Sequence, residues 1–319
     1  MVFKTVILLL VTFGAYGLII SGKLPLLGMW ALCLVMGMGL AGLGFSVAHD
    51  AVHGAYSKNK NVNYVLGLVM NLIGGNRYVW SITHNIIHHT YTNIYEIDED
   101  LEVAPFIRLS KHARHRPIHR IQHIIGFLAY GFATIFWVLL KDFKKLMQKK
   151  IGPYTNKKHP SSEIVLLIIF KVICYAYMIV IPLLVLDVTW WQFLIGFLTM
   201  HMTAGIILGV VFQLAHTVEG TEHHHHDTEE IKDTWAVHQM KTTSNFAMKN
   251  KIINWYVGGL NFQIEHHLFP RICSIHYPAI SKIVQQTAET YEIPYNYHPT
   301  FIGAIQSHYR VLKQLGARP

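Results

Sequence analysis

Four long apolar runs, at 5–22, 26–46, 163–186 and 190–214, dominate this sequence. A helix needs about 18 or more such residues to cross the hydrocarbon of a bilayer, where every backbone polar group must be satisfied within the segment. The runs come in pairs. The connectors "SGKLP" and "LDVTW" allow little more than an immediate return, so each pair is expected to cross and come back as a helical hairpin. Both termini and the long middle segment then share one side. The middle segment 47–162 carries 15 of the 27 Lys and Arg, the tail from 215 carries nine, and the connectors carry only Lys23. Positive charge collects on the cytoplasmic side of membranes, so that side is expected to be the cytoplasm. The first run resembles a signal peptide, but a second apolar run follows at once without a small-residue cleavage site, so it reads as a retained helix. A fifth run, "IIGFLAYGFATIFWVLL" at 124–140, has the length to span. Spanning would separate the histidines of the tail from His84, so a re-entrant or interfacial helix is expected.

The expected fold is an all-α, multi-pass integral membrane protein: a single domain over 1–319, with four transmembrane helices in two hairpins. Interfacial helices and a cytoplasmic histidine-rich cap, formed by 47–162 and 215–319, complete it. Composition agrees: 52% of the 319 residues are hydrophobic and only 14% charged, too apolar for an ordinary soluble domain. Cys33, Cys174 and Cys273 are scattered and odd in number, which argues against a disulfide framework and a cysteine-based zinc site. The basic run "RLSKHARHRPIHR" next to membrane segments suits anionic lipid head groups or a phosphate-bearing substrate better than nucleic acid.

The 22 histidines are the second constraint, because histidine is rarely so abundant unless something binds it. "HDAVHG" supplies His49 and His53 at i and i+4, one helical face just beyond the second span. "HNIIHH" supplies His84, His88 and His89, "QIEHH" supplies Gln263, His266 and His267, and "FQLAH" adds His216 at the end of the fourth span. All four groups fall on the expected cytoplasmic side. A site for two metal ions needs many neutral nitrogen ligands converging from several helices, and this pattern supplies them. So many imidazoles without cysteine fit two irons better than structural zinc. His201 lies fifteen residues before His216 on the same helix, about 22 Å along its axis, too far to share a site. His223 to His226 read as a surface loop with adventitious metal affinity.

The three boxes "HDAVH", "HNIIHH" and "QIEHH", set between paired apolar hairpins, resemble those of the membrane-bound fatty acid desaturases. The match runs from about residue 40 to the end. "GGLNFQIEHHLFP" is similar to the third box of the front-end subgroup, in which glutamine replaces the first histidine. That subgroup inserts a double bond between an existing one and the carboxyl end, typically at Δ5 or Δ6. The resemblance implies that His49, His53, His84, His88, His89, His216, His266 and His267 are iron ligands, with Gln263 near the metal. Members with a histidine after the fourth span also carry an asparagine four residues earlier, where this chain has Phe212.

Further expectations follow from the resemblance. Two non-haem irons use dioxygen to remove hydrogen from two adjacent methylenes, the oxygen leaving as water. The substrate is a fatty acyl-CoA or acyl-lipid drawn from the bilayer. No haem-binding HPGG signature occurs in the 319 residues, so electrons are expected from a separate ferredoxin or cytochrome b5 type protein. The chain looks most like bacterial members of the linoleoyl-CoA desaturase type, which places it in the bacterial inner membrane with its site facing the cytoplasm. Asp50, Asn85, Glu265, Trp235 and His238 are candidates to orient the ligand imidazoles, and Arg77, Arg108 and Lys111 to hold the substrate head group. A lipid hydroxylase is the near alternative. A histidine-rich metal transporter or store is the remote one, disfavoured because the spans contain chiefly His201 and Lys171 as ionisable residues.

Overall fold

A computed structural model describes residues 1–101, 106–155, 158–225, 227 and 231–317. Among the described residues, four helices are long and apolar enough to cross a membrane: α1 (Val2–Ile20), α2 (Leu26–Val52), α7 (Ser161–Val185) and α8 (Trp190–His216). Their bounds reproduce the four apolar runs. Thr12 of α1 faces Gly39 of α2, and Leu8 faces Gly42, so α2 runs back along α1. Lipid-facing surfaces stay apolar, as at Leu10, Leu18, Val172, Leu184 and Trp190, because lipid rather than protein satisfies them.

Between the two pairs lie α3 (Lys60–Leu72), a short α4 (Arg77–Trp80) that runs into a π-helical stretch at Ser81–His88, and two helices, α5 (Pro117–Tyr130) and α6 (Ala133–Leu146). The fifth apolar run is thus no straight span: α5 and α6 bend by 61° where they meet. Gly205 of α8 explains the fit, since a Cβ there would lie 2.5 Å from the Gly131 carbonyl oxygen at the bend. After α8 the chain forms α9 (Trp235–Thr242), α10 (Lys251–Tyr256), α11 (Gln263–Leu268), α12 (Tyr277–Thr290) and α13 (Phe301–Gly316). Among the described residues, three two-residue strand pairs stitch loops together.

Lys171 and His201, buried within the spans, are engaged by the protein. Lys171 forms an ion pair with Asp142 at 2.9 Å, and His201 Nδ1 lies 3.3 Å from the Thr134 hydroxyl.

Candidate metal centre

The last turns of α2 are not regular. Gly44–Ala48 is π-helical and delivers His49 and His53 on one face, with ring centroids 4.6 Å apart. The second box is π-helical throughout, and the His89 amide donates to the His84 carbonyl, an i→i+5 bond. That wider turn brings His84 and His89 to the same side, their Nε2 atoms 3.3 Å apart, with His88 stacked on His84 at 4.9 Å. The third box is the short helix α11. Its approach is fixed by Gly258 in a left-handed conformation (φ +64°), where a Cβ would lie 2.7 Å from the Phe45 carbonyl oxygen in the π turn of α2. His216 ends α8.

These elements bring all eight histidines into one buried cluster. His49, His53, His84 and His266 form one group, His88, His216 and His267 a second, and His89 joins His266 and His267 between them. Within each group the nitrogens lie within 4.8 Å of one another. Burial, reinforced by the neighbouring histidines, holds His53, His84, His89, His266 and His267 well below the usual imidazole range, so they are neutral donors at pH 7.

Hydrogen bonds outside the cluster decide which nitrogen faces in. His88 Nδ1 donates to Asp98 Oδ2 (3.0 Å) and His267 Nδ1 to Gln239 Oε1 (2.7 Å), while His266 Nδ1 meets the Tyr277 hydroxyl at 3.2 Å. The opposite nitrogens, Nε2 of His266 and His267, are buried without a hydrogen-bond partner, as is Nε2 of His53. Buried polar atoms are normally satisfied. Partnerless buried nitrogens within this crowd of imidazoles therefore fit metal ions, and the absence of thiolates suits iron.

The supporting residues differ from those expected. Asp50 stands 3.7 Å from His49 Nδ1 and instead accepts from Ser274 Oγ at 2.8 Å, tying the first box to the segment after the third. Asn85 donates to the Val52 carbonyl. Glu265 accepts from Asn245 and Tyr295, both at 2.8 Å, and burial raises its pKa. Trp235 donates to the His89 carbonyl, bracing the end of the second box, and His238 to the Thr92 carbonyl three residues beyond it. Gln263 opens α11 and is buried. The residues that orient imidazoles, Asp98, Gln239 and Tyr277, stand outside the boxes. Only their acceptor chemistry marks them, and nothing local in the sequence singles them out.

The basic residues also have other partners. Arg77 pairs with Glu163 at 3.2 Å and lies over the Tyr64 ring. Arg108 donates to the carbonyls of Lys111, Ala113 and Leu315, tethering its loop to the end of α13. Guanidiniums spent on backbone carbonyls and a carboxylate are poorly placed to hold a head group. Lys111 contributes its carbonyl to that tether. The histidine tetrad is not a loose tag: His224–His225 pairs in parallel with Ile94–Tyr95, and His223 is held by Asn93. Burial lowers the His223 pKa to about 4. His226 lies outside the described residues.

The fatty acid desaturase family profile matches residues 25–299. The chain is 38% identical to an sn-1 linoleoyl-lipid 6-desaturase of Arthrospira platensis, over 100% of this chain and 86% of the relative. It is 36% identical to an sn-1 linoleoyl-lipid 6-desaturase of Synechocystis, over 99% of this chain and 88% of the relative. An acyl-lipid (8-3)-desaturase of Physcomitrium patens is 32% identical over 99% of this chain and 66% of its own length.

Proposed function

The chain belongs to the fatty acid desaturase family, and from that premise we propose that it is a front-end desaturase inserting a double bond at the 6-position of a lipid-bound acyl chain. The observation that carries this reading is the convergence of eight buried histidines in two linked groups. His49, His53, His84 and His266 would hold one iron and His88, His216 and His267 the other, with His89 between them and Gln263 at the edge of the site. Two irons bound there supply the activation of dioxygen that an unactivated methylene requires and that no side chain offers.

The chain's own residues do the rest. Asp98 and Gln239 keep a proton on Nδ1 of His88 and His267, so that Nε2 faces inward as a lone pair. Near-complete burial of the cluster excludes water from the reacting carbons. An alkyl chain has no polar handle where it reacts, so the protein selects the bond by holding the chain at a fixed depth. The acyl-lipid carrier is favoured over acyl-CoA by the names of the relatives. Residues 1–319 act as one domain, because the cluster draws histidines from both halves. We place the site on the cytoplasmic side of a bacterial inner membrane on the strength of the charge bias and the four apolar helices, and membership of the desaturase family favours a separate ferredoxin or cytochrome b5 type protein as the electron donor.

Expression in a host of known fatty acid composition, with new double bonds located by mass spectrometry, tests this reading. A 6-position double bond in eighteen-carbon acyl lipids is the expected product. A hydroxylated product or an unchanged profile would contradict it.

A further inference from the structure

Both ends of the bent pair α5–α6 are held near the histidine cluster, and the bend between them is not. Just before α5, His115 Nε2 lies 3.0 Å from the Gly316 carbonyl oxygen, and the Gln122 amide donates to the Leu312 carbonyl at 2.8 Å, both on α13. That helix is fixed beside the cluster, because His308 Nδ1 donates to the carbonyl of Thr217, the residue after His216. At the far end, Lys145 of α6 pairs with Glu99, next to the Asp98 that holds His88. The bend sits elsewhere. Gly131 packs on Gly205, and the Thr134 hydroxyl donates to the His201 carbonyl at 2.8 Å. Gly205 and His201 lie eleven and fifteen positions before His216 on α8, so the bend is about 16–22 Å along that helix from the cluster. That depth falls within a hydrocarbon core about 30 Å thick.

The outer face of the pair is apolar. Ile121, Ile124, Leu128, Phe132, Phe136 and Leu140 recur every three or four residues and are each 46% exposed or more, which makes one stripe of helix surface. Charge stands only at its ends. Residues 111–150 hold nine Lys and Arg against one acid, Asp142, which is buried on Lys171, and none of these charges lies between 121 and 140. Arg114, Arg116 and Arg120 are exposed at the start of α5, and Lys144, Lys149 and Lys150 at the end of α6. An apolar stripe between cationic ends complements a surface with a hydrocarbon interior and negative head groups. Nucleic acid would leave the stripe in water, and a zwitterionic lipid would leave the charge unbalanced.

We propose that α5–α6 is a re-entrant wedge in the leaflet on the histidine side, and that the basic collars at its two ends bind the head groups of acidic phospholipids. This binding goes beyond the desaturase reading and does not depend on it. Flexible side chains on an exposed surface read the sign of charge rather than the shape of a head group, so any acidic phospholipid serves.

The test is a lipid competition on the whole protein. Purified protein in detergent is mixed with equimolar phosphatidylglycerol and phosphatidylcholine, repurified, and its bound lipid is quantified by mass spectrometry. The parent should retain the acidic lipid about fivefold over the zwitterionic one, the factor that a single basic residue at an acidic surface supplies. Arg114→Gln combined with Arg120→Gln should cut that ratio, and so should Lys144→Gln combined with Lys149→Gln and Lys150→Gln. Salt at about 1 M, which screens charge beyond about 3 Å, should do the same to the parent. Lys249→Gln combined with Lys282→Gln removes exposed charge from the tail instead and should leave the ratio alone. A parent ratio near one, collar variants equal to the parent, or an equal loss in the tail variant would overturn the proposal. Should one collar variant fail to accumulate, the other decides by the same criterion.

Discussion

His267 and Gln239 are joined by a 2.7 Å hydrogen bond from the imidazole Nδ1 to the amide oxygen, and the Thr92 hydroxyl donates to that same oxygen at 2.8 Å. Gln239 thus holds a third-box histidine and the segment that follows the second box through one atom. Replacing Gln239 by leucine should lower bound iron and cut activity about ten- to a hundredfold, the usual scale for a partner of a metal-bound histidine. Iron per chain and product yield at equal protein level are the measurements, and parental values for both would show that the bond does not orient His267.

Asp98 Oδ2 accepts from both His88 Nδ1 and the Asn93 amide. One oxygen does both jobs, so Asp98→Asn can present its amide oxygen there and should keep most of the bound iron, whereas Asp98→Ala should lose activity at least tenfold. Equal loss in the two variants would point to the carboxylate charge rather than the acceptor geometry.

These two residues mark where sequence reading stops. The four spans were legible because a bilayer imposes a length and a composition on each, and the histidine boxes because ligand spacing on a helix is local. Asp98 and Gln239 are ten and 28 positions from the histidines they serve. The role of Gln239 arises only when α9 is laid against α11, and that of Asp98 only when the chain after the second box turns back toward His88. The π turns at Gly44–Ala48 and Ser81–His88 were read as ordinary helix, since nothing local distinguishes an i→i+5 from an i→i+4 bond. Arg77 and Arg108 looked available for a head group because their partners, Glu163 and the Leu315 carbonyl, are distant in the chain.

His308 predicts a pH dependence of stability. Its Nδ1 donates to the Thr217 carbonyl at 2.7 Å, its Nε2 meets the Tyr130 hydroxyl at 2.9 Å, and burial lowers its pKa from 6.5 to about 4. The folded state then binds this proton less readily than the unfolded one. Its contribution is complete above pH 6.5 and is lost as the pH falls toward 4. The full shift corresponds to roughly 3 kcal/mol. Melting temperatures of the parent and of His308→Gln in detergent should therefore converge on acidification. A gap that stays constant from pH 7 to 4.5 would contradict the assignment.

Topology is the fourth prediction. Cysteines placed at positions 115 and 313, in a chain lacking Cys33, Cys174 and Cys273, should react from the same side of sealed vesicles, since a shared histidine site keeps the segments before α5 and after α6 on one face of the membrane. Labelling from opposite sides would mean that this pair crosses the membrane and that its flanking histidines cannot share a site.

The central claim is that eight histidines hold two irons. Purified protein, reconstituted with ferrous iron in the absence of oxygen and freed of excess metal, should carry about two irons per chain. His88→Ala and His267→Ala should each lower that number in protein that remains folded. One iron or none in the parent, or full iron content in both variants, would contradict the account.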